Sequence, residues 1–331
     1  MDTVLLLVNI IFVLSGALVL LFVGLIVKKW HNNRRTAQKE QFKAAHRGRV
    51  FTHITTGEPL NEKVLQSADT YDGLAEILIS YSAVLKGDDF ERVTRFAEGH
   101  LTDYYRKCLR SSNWGTRMNA LYGIEQLRMS TLSEELATLW ERRKQTEAEA
   151  IQLLKIAADA QQEKLLTYLQ TLPHELPSFY YQTIFNRLQE PLFTRLLEDS
   201  AHYTSRVRYA LIDVIGAQKR LTHAERLIAF AQAEDAETRI RALKALSKLE
   251  YLPDVRIVTR AVRSEVWEER LFAAKLLATV NDKESQLLLN RLANDACWHV
   301  RQVATDVLDA RARTNQRQAE ESREARQRLT V

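Results

Sequence analysis

Hydrophobic and polar positions follow two different rhythms along this chain. Residues 4–27, "VLLLVNIIFVLSGALVLLFVGLIV", carry no charge, and Asn9 and Ser15 are their only strongly polar side chains. A helix rising about 1.5 Å per residue crosses a hydrocarbon core of about 30 Å with this stretch and has length left for tilt. Beyond it the apolar positions recur at helical spacing. "TGEPLNEK", with Gly57 and Pro59, is a turn-like break. Leu74, Ile77, Leu78, Tyr81 and Leu85 then form one stripe, which predicts a helix over 70–86. "GDDFERV" opens another over 88–110, where Asp88 or Asp89 is placed to cap it.

From about residue 113 a longer period sets in. "DAETRIRALKALSKL" (235–249) returns as "DACWHVRQVATDVLD" (295–309), an aspartate followed six residues later by an arginine in each. Anchored on Arg208, Arg241, Arg270 and Arg301, the period is 33, 29 and 31 residues, and Arg117 lies 91 before Arg208. Apolar segments such as "HAERLIAFAQ" and "ESQLLLNRLA" alternate with the anchored ones, which predicts about seven helix–turn–helix units. One such pair cannot bury its apolar face alone, so neighbours must stack. "D-x5-R-x2-A-x2-A/V-L" at this period resembles the short bacterial HEAT repeat, over roughly 113–310. Asp235/Arg241 and Asp295/Arg301 match in full, while His202 and Ser264 stand in the aspartate position of the Arg208 and Arg270 units.

The resemblance implies an all-α fold, a right-handed α-solenoid of HEAT-like helix pairs behind a single transmembrane helix. It also implies that Arg117, Arg208, Asp235, Arg241, Arg270, Asp295 and Arg301 form a structural ladder between successive turns rather than a catalytic site. The expected order is a short extracytoplasmic N-terminus (1–3), the transmembrane helix (4–27), a juxtamembrane collar (28–52), a helical lead-in (53–112), the repeats (113–310) and a charged tail (311–331). The tail has no apolar stripe and reads as a frayed helix or a disordered end.

Charge adds an orientation. No Lys or Arg precedes residue 28, whereas Lys28, Lys29, Arg34 and Arg35 follow the apolar stretch at once. By the positive-inside rule the N-terminus is outside and the rest cytoplasmic, held by an uncleaved anchor, with Trp30 at headgroup level. The overall charge of +5 divides into −1 over 1–27, +7 over 28–50, −4 over 51–310 and +3 over 311–331. The collar sets topology and, with Lys39 and Lys43, can also meet anionic lipid. Cys108 and Cys297 suit a reducing compartment.

Candidate chemistry is sparse. No HExxH, CxxC, GxGxxG or nucleophile elbow occurs, so no cofactor or small-molecule substrate is expected. His100, Asp103 and Glu98 read as a solvated helix face rather than a metal site. "TLPHELPSFYYQTIFNRLQEP" is the most irregular stretch, and Phe179, Tyr180, Tyr181 and Phe185 form the candidate partner patch, with packing around its prolines as the alternative. Trp114, Trp267 and Trp298 each stand three residues before an anchor arginine, which favours a filler between turns over a binding ridge. Asn9, Gly16 and Gly24 are candidates for packing against another membrane helix.

The expectation is a non-enzymatic, membrane-anchored cytoplasmic scaffold for a protein partner. Proteins of this build resemble companions of membrane glycosyltransferases in envelope assembly, which points to a multi-pass membrane enzyme. The alternatives are an anionic-lipid sensor or a HEAT-like enzyme such as a bilin lyase or DNA glycosylase. The acidic balance of 51–310 opposes nucleic acid.

Overall fold

The computed structural model describes residues 2–58, 68–142, 145–172 and 174–329; the side chains of 2–11, 13, 68, 69 and 322–329 lie outside that description. Among the described residues there are sixteen α-helices and no strand. They form two compact units, residues 1–160 and 161–331, a division inside the expected repeat array rather than at 112.

In the first unit, α1 (Asp2–Thr56) is one unbroken helix carrying both the apolar stretch and the basic collar. Its far end packs on α2 (Ala68–Ser82) and α3 (Asp88–Leu109), burying Val50 and Ile54. Leu74, Ile77 and Leu78 of the predicted stripe are fully buried on α2. α3 buries Val93, Phe96, Ala97, Leu101, Tyr105 and Leu109, the spacing of an amphipathic helix. Its cap differs from expectation. Gly87, at φ +60°, is the capping residue, and Asp88 and Asp89 stand in the first turn, where they favour the dipole without bonding the backbone. α4 (Trp114–Gln126) packs on α6 (Glu147–Asp159), with α5 (Ser133–Glu141) against α3 and α6.

The second unit opens with α7 (Lys164–Thr171), α8 (Ser178–Phe185) and α9 (Glu190–Glu198). α10 (Ser205–Ala217), α11 (Ala224–Phe230), α12 (Ala236–Leu249), α13 (Arg256–Val262), α14 (Trp267–Leu277), α15 (Lys283–Leu292) and α16 (Trp298–Leu329) follow. Alternate helices make a row: α8 on α10, α10 on α12, α12 on α14, α14 on α16. α11, α13 and α15 each cover the helix that follows them. At α10–α12 the backbones come so close that a Cβ on Gly216 would lie 2.8 Å from Ala245 Cα. The tail continues α16 as helix to Leu329.

Several first helices of a pair end through a left-handed residue that is not glycine: Arg128 (φ 50°), Gln161 (51°), Lys219 (53°) and Glu250 (54°). At Glu250 this conformation lets the backbone N–H reach back to the Leu246 and Ser247 carbonyls and close the helix end.

Candidate functional site

An arginine at the fourth position of a helix points its side chain back toward the preceding turn. Four arginines here do so identically. Arg117 donates to the carbonyls of Ser111 and Ser112 at 2.9 and 3.0 Å, the residues six and five before it. Arg239 does the same to Ala233 and Glu234 (3.0 and 2.5 Å), Arg270 to Ser264 and Glu265 (2.8 and 3.0 Å), and Arg301 to Asp295 and Ala296 (2.7 and 2.9 Å). The other side of the guanidinium takes a carboxylate from the next first helix or the turn before it. Arg117 Nε donates to Glu149 Oε1 at 2.7 Å, and Arg239 to Glu269 at 3.0 and 2.7 Å. Arg270 holds Asp295 bidentately at 2.6 and 2.8 Å. The Arg270 guanidinium keeps the Asp295 carboxyl below the usual range. Glu149 is lowered too: burial pushes it up, but bonds from Arg117 and Thr146 outweigh that.

These bonds correct the sequence register. The arginine equivalent to Arg270 and Arg301 is Arg239, not Arg241; Arg208, Arg239, Arg270 and Arg301 then stand at a uniform interval of 31. Arg241 lies half a turn further round α12, where it pairs with Asp213 of α10 and with Glu237, and lies over the Tyr209 ring at 5.0 Å. Nor do the repeating acids serve the arginines of their own segments. Asp235 caps α12 by accepting from Thr238 N and Oγ1 at 2.9 and 2.7 Å, and the Asp295 carboxylate belongs to Arg270. Arg208 occupies the same register, yet its Nε is buried with no partner among the described residues. α12 carries Thr238 at the third position, where α6 and α14 carry Glu149 and Glu269. Glu149, Glu269 and Arg239 escaped the sequence reading, although a strict 31-residue comb over the last four units would have found Arg239.

The aromatic stretch divides. Tyr181 and Phe185 are fully buried, Tyr181 Oη accepting from Leu176 N at 3.1 Å, so they are core and present no surface. Phe179 is 69% exposed, and Tyr180 stands beside it half-buried, with ring centroids 5.8 Å apart. The prolines begin elements rather than interrupt them. Pro177 precedes α8 and Pro191 sits in the first turn of α9, where a missing N–H costs nothing; Pro173 lies outside the described residues. The three tryptophans are the first residues of α4, α14 and α16 and are exposed, against their expected role as fillers.

On α1, Lys28, Lys29, Arg34 and Arg35 are exposed next to the apolar stretch. Lys39 and Lys43 instead turn onto α2. Both bond Glu76, at 2.5 and 2.8 Å, and Lys39 lies 3.6 Å from Asp72. Beneath them Phe42 covers Gly73, where a Cβ would meet the ring at 2.7 Å. A cleft of about 670 Å³ opens beside this clasp, lined by Asp72, Tyr104, Tyr105, Cys108 and Asn119 among others. Burial and the neighbouring Asp72 drive the Tyr104 and Tyr105 phenols above their ordinary range, which suits hydrogen-bond donation rather than ionisation. Gly16 and Gly24 meet nothing within 4 Å, and the Asn9 side chain lies outside the described ones. Among the described residues no group of His, Cys, Asp and Glu is arranged to hold a metal.

No protein-family model matches the chain, and no curated protein does. A crystal structure of an engineered protein from a structural genomics consortium aligns with 78% of this chain and 95% of its own length, at 14% identity and a TM-score of 0.26. A likeness that distant fixes no fold.

Proposed function

We propose that this chain is a non-enzymatic, single-pass membrane protein whose cytoplasmic part is a right-handed solenoid of HEAT-like helix pairs that scaffolds a protein partner at the bilayer. The observation that carries the reading is α1. One uninterrupted helix holds the only apolar stretch long enough to cross a membrane among the described residues, and the same helix is clasped to α2 by Lys39, Lys43 and Glu76. The anchor is thus part of the first unit's fold rather than a leash. The regular arginine rungs support the repeat reading, since a guanidinium satisfying one turn and bridging to the next helix is a device for stacking like units. The partner class is a multi-pass membrane enzyme, with an envelope glycosyltransferase as the foremost candidate.

The test is a mild-detergent pull-down of the tagged full-length protein from native membranes, beside the Phe179→Ala/Tyr180→Ala variant. A multi-pass membrane enzyme retained by the wild type and lost by the variant supports the scaffold and its surface. Recovery of the chain alone overturns the partner claim. Contact with anionic lipid is a second reading, carried by the exposed Lys28, Lys29 and Arg34 at the end of the apolar stretch. It fails if Lys28→Gln/Lys29→Gln/Arg34→Gln leaves retention on anionic over neutral bilayers unchanged. The engagement of Lys39 and Lys43 with Glu76 removes the distal collar from that role.

A further inference from the structure

The starts of α12, α14 and α16 lie side by side, because the Arg239–Glu269 and Arg270–Asp295 bonds tie each start to the next. Along this edge the 31-residue register repeats a second set of residues. Glu234 and Glu265 lie two positions before the first helical residue, and Glu237, Glu268 and His299 occupy the second helical position. The first position is Trp267 on α14, 38% exposed, and Trp298 on α16, 60% exposed. The His299 ring sits between the two indoles, at 5.5 and 5.1 Å between centroids, so the three rings form one exposed aromatic cluster.

The charges that accompany the cluster are mainly acidic. Three cations of the edge are spent internally: Arg239, Arg270 and Arg301 bond turn carbonyls, and the first two also hold Glu269 and Asp295, while Arg263 in the turn before α14 is exposed. Glu237 is taken by Arg241. The carboxylates of Glu234, Glu265 and Glu268 make no ion pair among the described residues, and the first two are exposed. Exposed indole faces beside unpaired carboxylates complement a guanidinium or ammonium that stacks on the ring while its charge meets an acid.

We propose that the edge formed by Trp267, Trp298 and His299 with Glu234, Glu265 and Glu268 is a docking strip for a Lys/Arg-rich segment of a protein partner. The assignment rests on the scaffold reading for the existence of a partner and adds the partner's chemistry. Membrane proteins concentrate Lys and Arg in the short segments flanking their cytoplasmic helix ends, so a chain tethered there meets such segments first. The strip is distinct from the Phe179/Tyr180 surface.

The experiment uses full-length protein in phosphatidylcholine nanodiscs, labelled with 5-fluorotryptophan and assigned through Trp267→Phe and Trp298→Phe. The probe is a short Arg/Lys–Ala peptide, with a Glu–Ala peptide as control. The expected result is a fluorine shift at Trp267 and Trp298 alone, with the cationic peptide only. Affinity should fall by roughly tenfold in Glu265→Gln/Glu268→Gln and be lost in Trp267→Ala/Trp298→Ala at unchanged Tm. Equal shifts with the Glu–Ala peptide, or undiminished affinity in the Glu variant, would sink the assignment. The pull-down separates it from the scaffold reading. A membrane partner still retained by Glu265→Gln/Glu268→Gln overturns the strip and leaves the scaffold. Peptide bound on the strip, with no membrane protein captured by the wild type, overturns the scaffold and leaves the strip.

Discussion

Glu269 shows what an arginine rung is for. Its side chain is 1% exposed, and a carboxylate so buried persists only with a paired, hydrogen-bonded cation, here Arg239. Arg239→Ala leaves that charge uncompensated and frees two turn carbonyls, and should cost about 3–5 kcal/mol in urea unfolding. Arg241→Ala removes a more exposed pair and should cost about 1 kcal/mol or less. Equal losses would show that the register belongs to Arg241 after all. Asp295 gives the pH counterpart. Its carboxyl is depressed chiefly by Arg270, so the stabilisation is fully present above the unfolded carboxylate pKa of about 3.9 and is lost as pH falls through the lower folded value. Acid unfolding should therefore steepen below about pH 4 in the wild type, and Asp295→Asn should be less stable at neutral pH with a flatter acid limb. The sequence made the residue types legible but not the partners. Two arginines two positions apart, Arg239 and Arg241, sit on different faces of one helix, and only the geometry of the preceding turn separates them.

At the scale of elements, α10 and α12 are held by contact as much as by bonds. Gly216 permits the close approach, since a Cβ there would press on the Ala245 backbone, which cannot swing away as a side chain could. Gly216→Ala gains about 1 kcal/mol of helix propensity yet should lose about 1–3 kcal/mol net through overpacking. A rise in Tm for that variant would mean that the two helices separate without penalty. Helix identity was readable from apolar spacing, as Leu74, Ile77 and Leu78 attest. Helix ends were not, because Arg128, Gln161, Lys219 and Glu250 take the left-handed conformation that a reader assigns to glycine. The same limit hid the layout of 140–195, where α7 to α9 are short and Tyr181 and Phe185 look like a surface patch until their burial is known.

For the whole molecule the decisive question is which side of a membrane each end occupies. The apolar stretch has no Lys or Arg before it and +7 over 28–50 after it, the distribution on which the proposed orientation, basic side inward, rests. α1 passes straight from that stretch into the clasp with α2, so the proposed orientation puts the clasp on the collar's side of the bilayer. Orientation can be read with a thiol reporter once Cys108 and Cys297, both half-buried, are replaced by serine. Thr3→Cys should react with a membrane-impermeant maleimide in intact cells whose outer barrier has been opened. Asn315→Cys, exposed on α16, should react only after the inner bilayer is disrupted. The reverse pattern would place the helical units outside and remove the cytoplasmic scaffold. Labelling of both sites without disruption would mean that α1 does not span at all, and its apolar face would then require a protein partner in place of lipid.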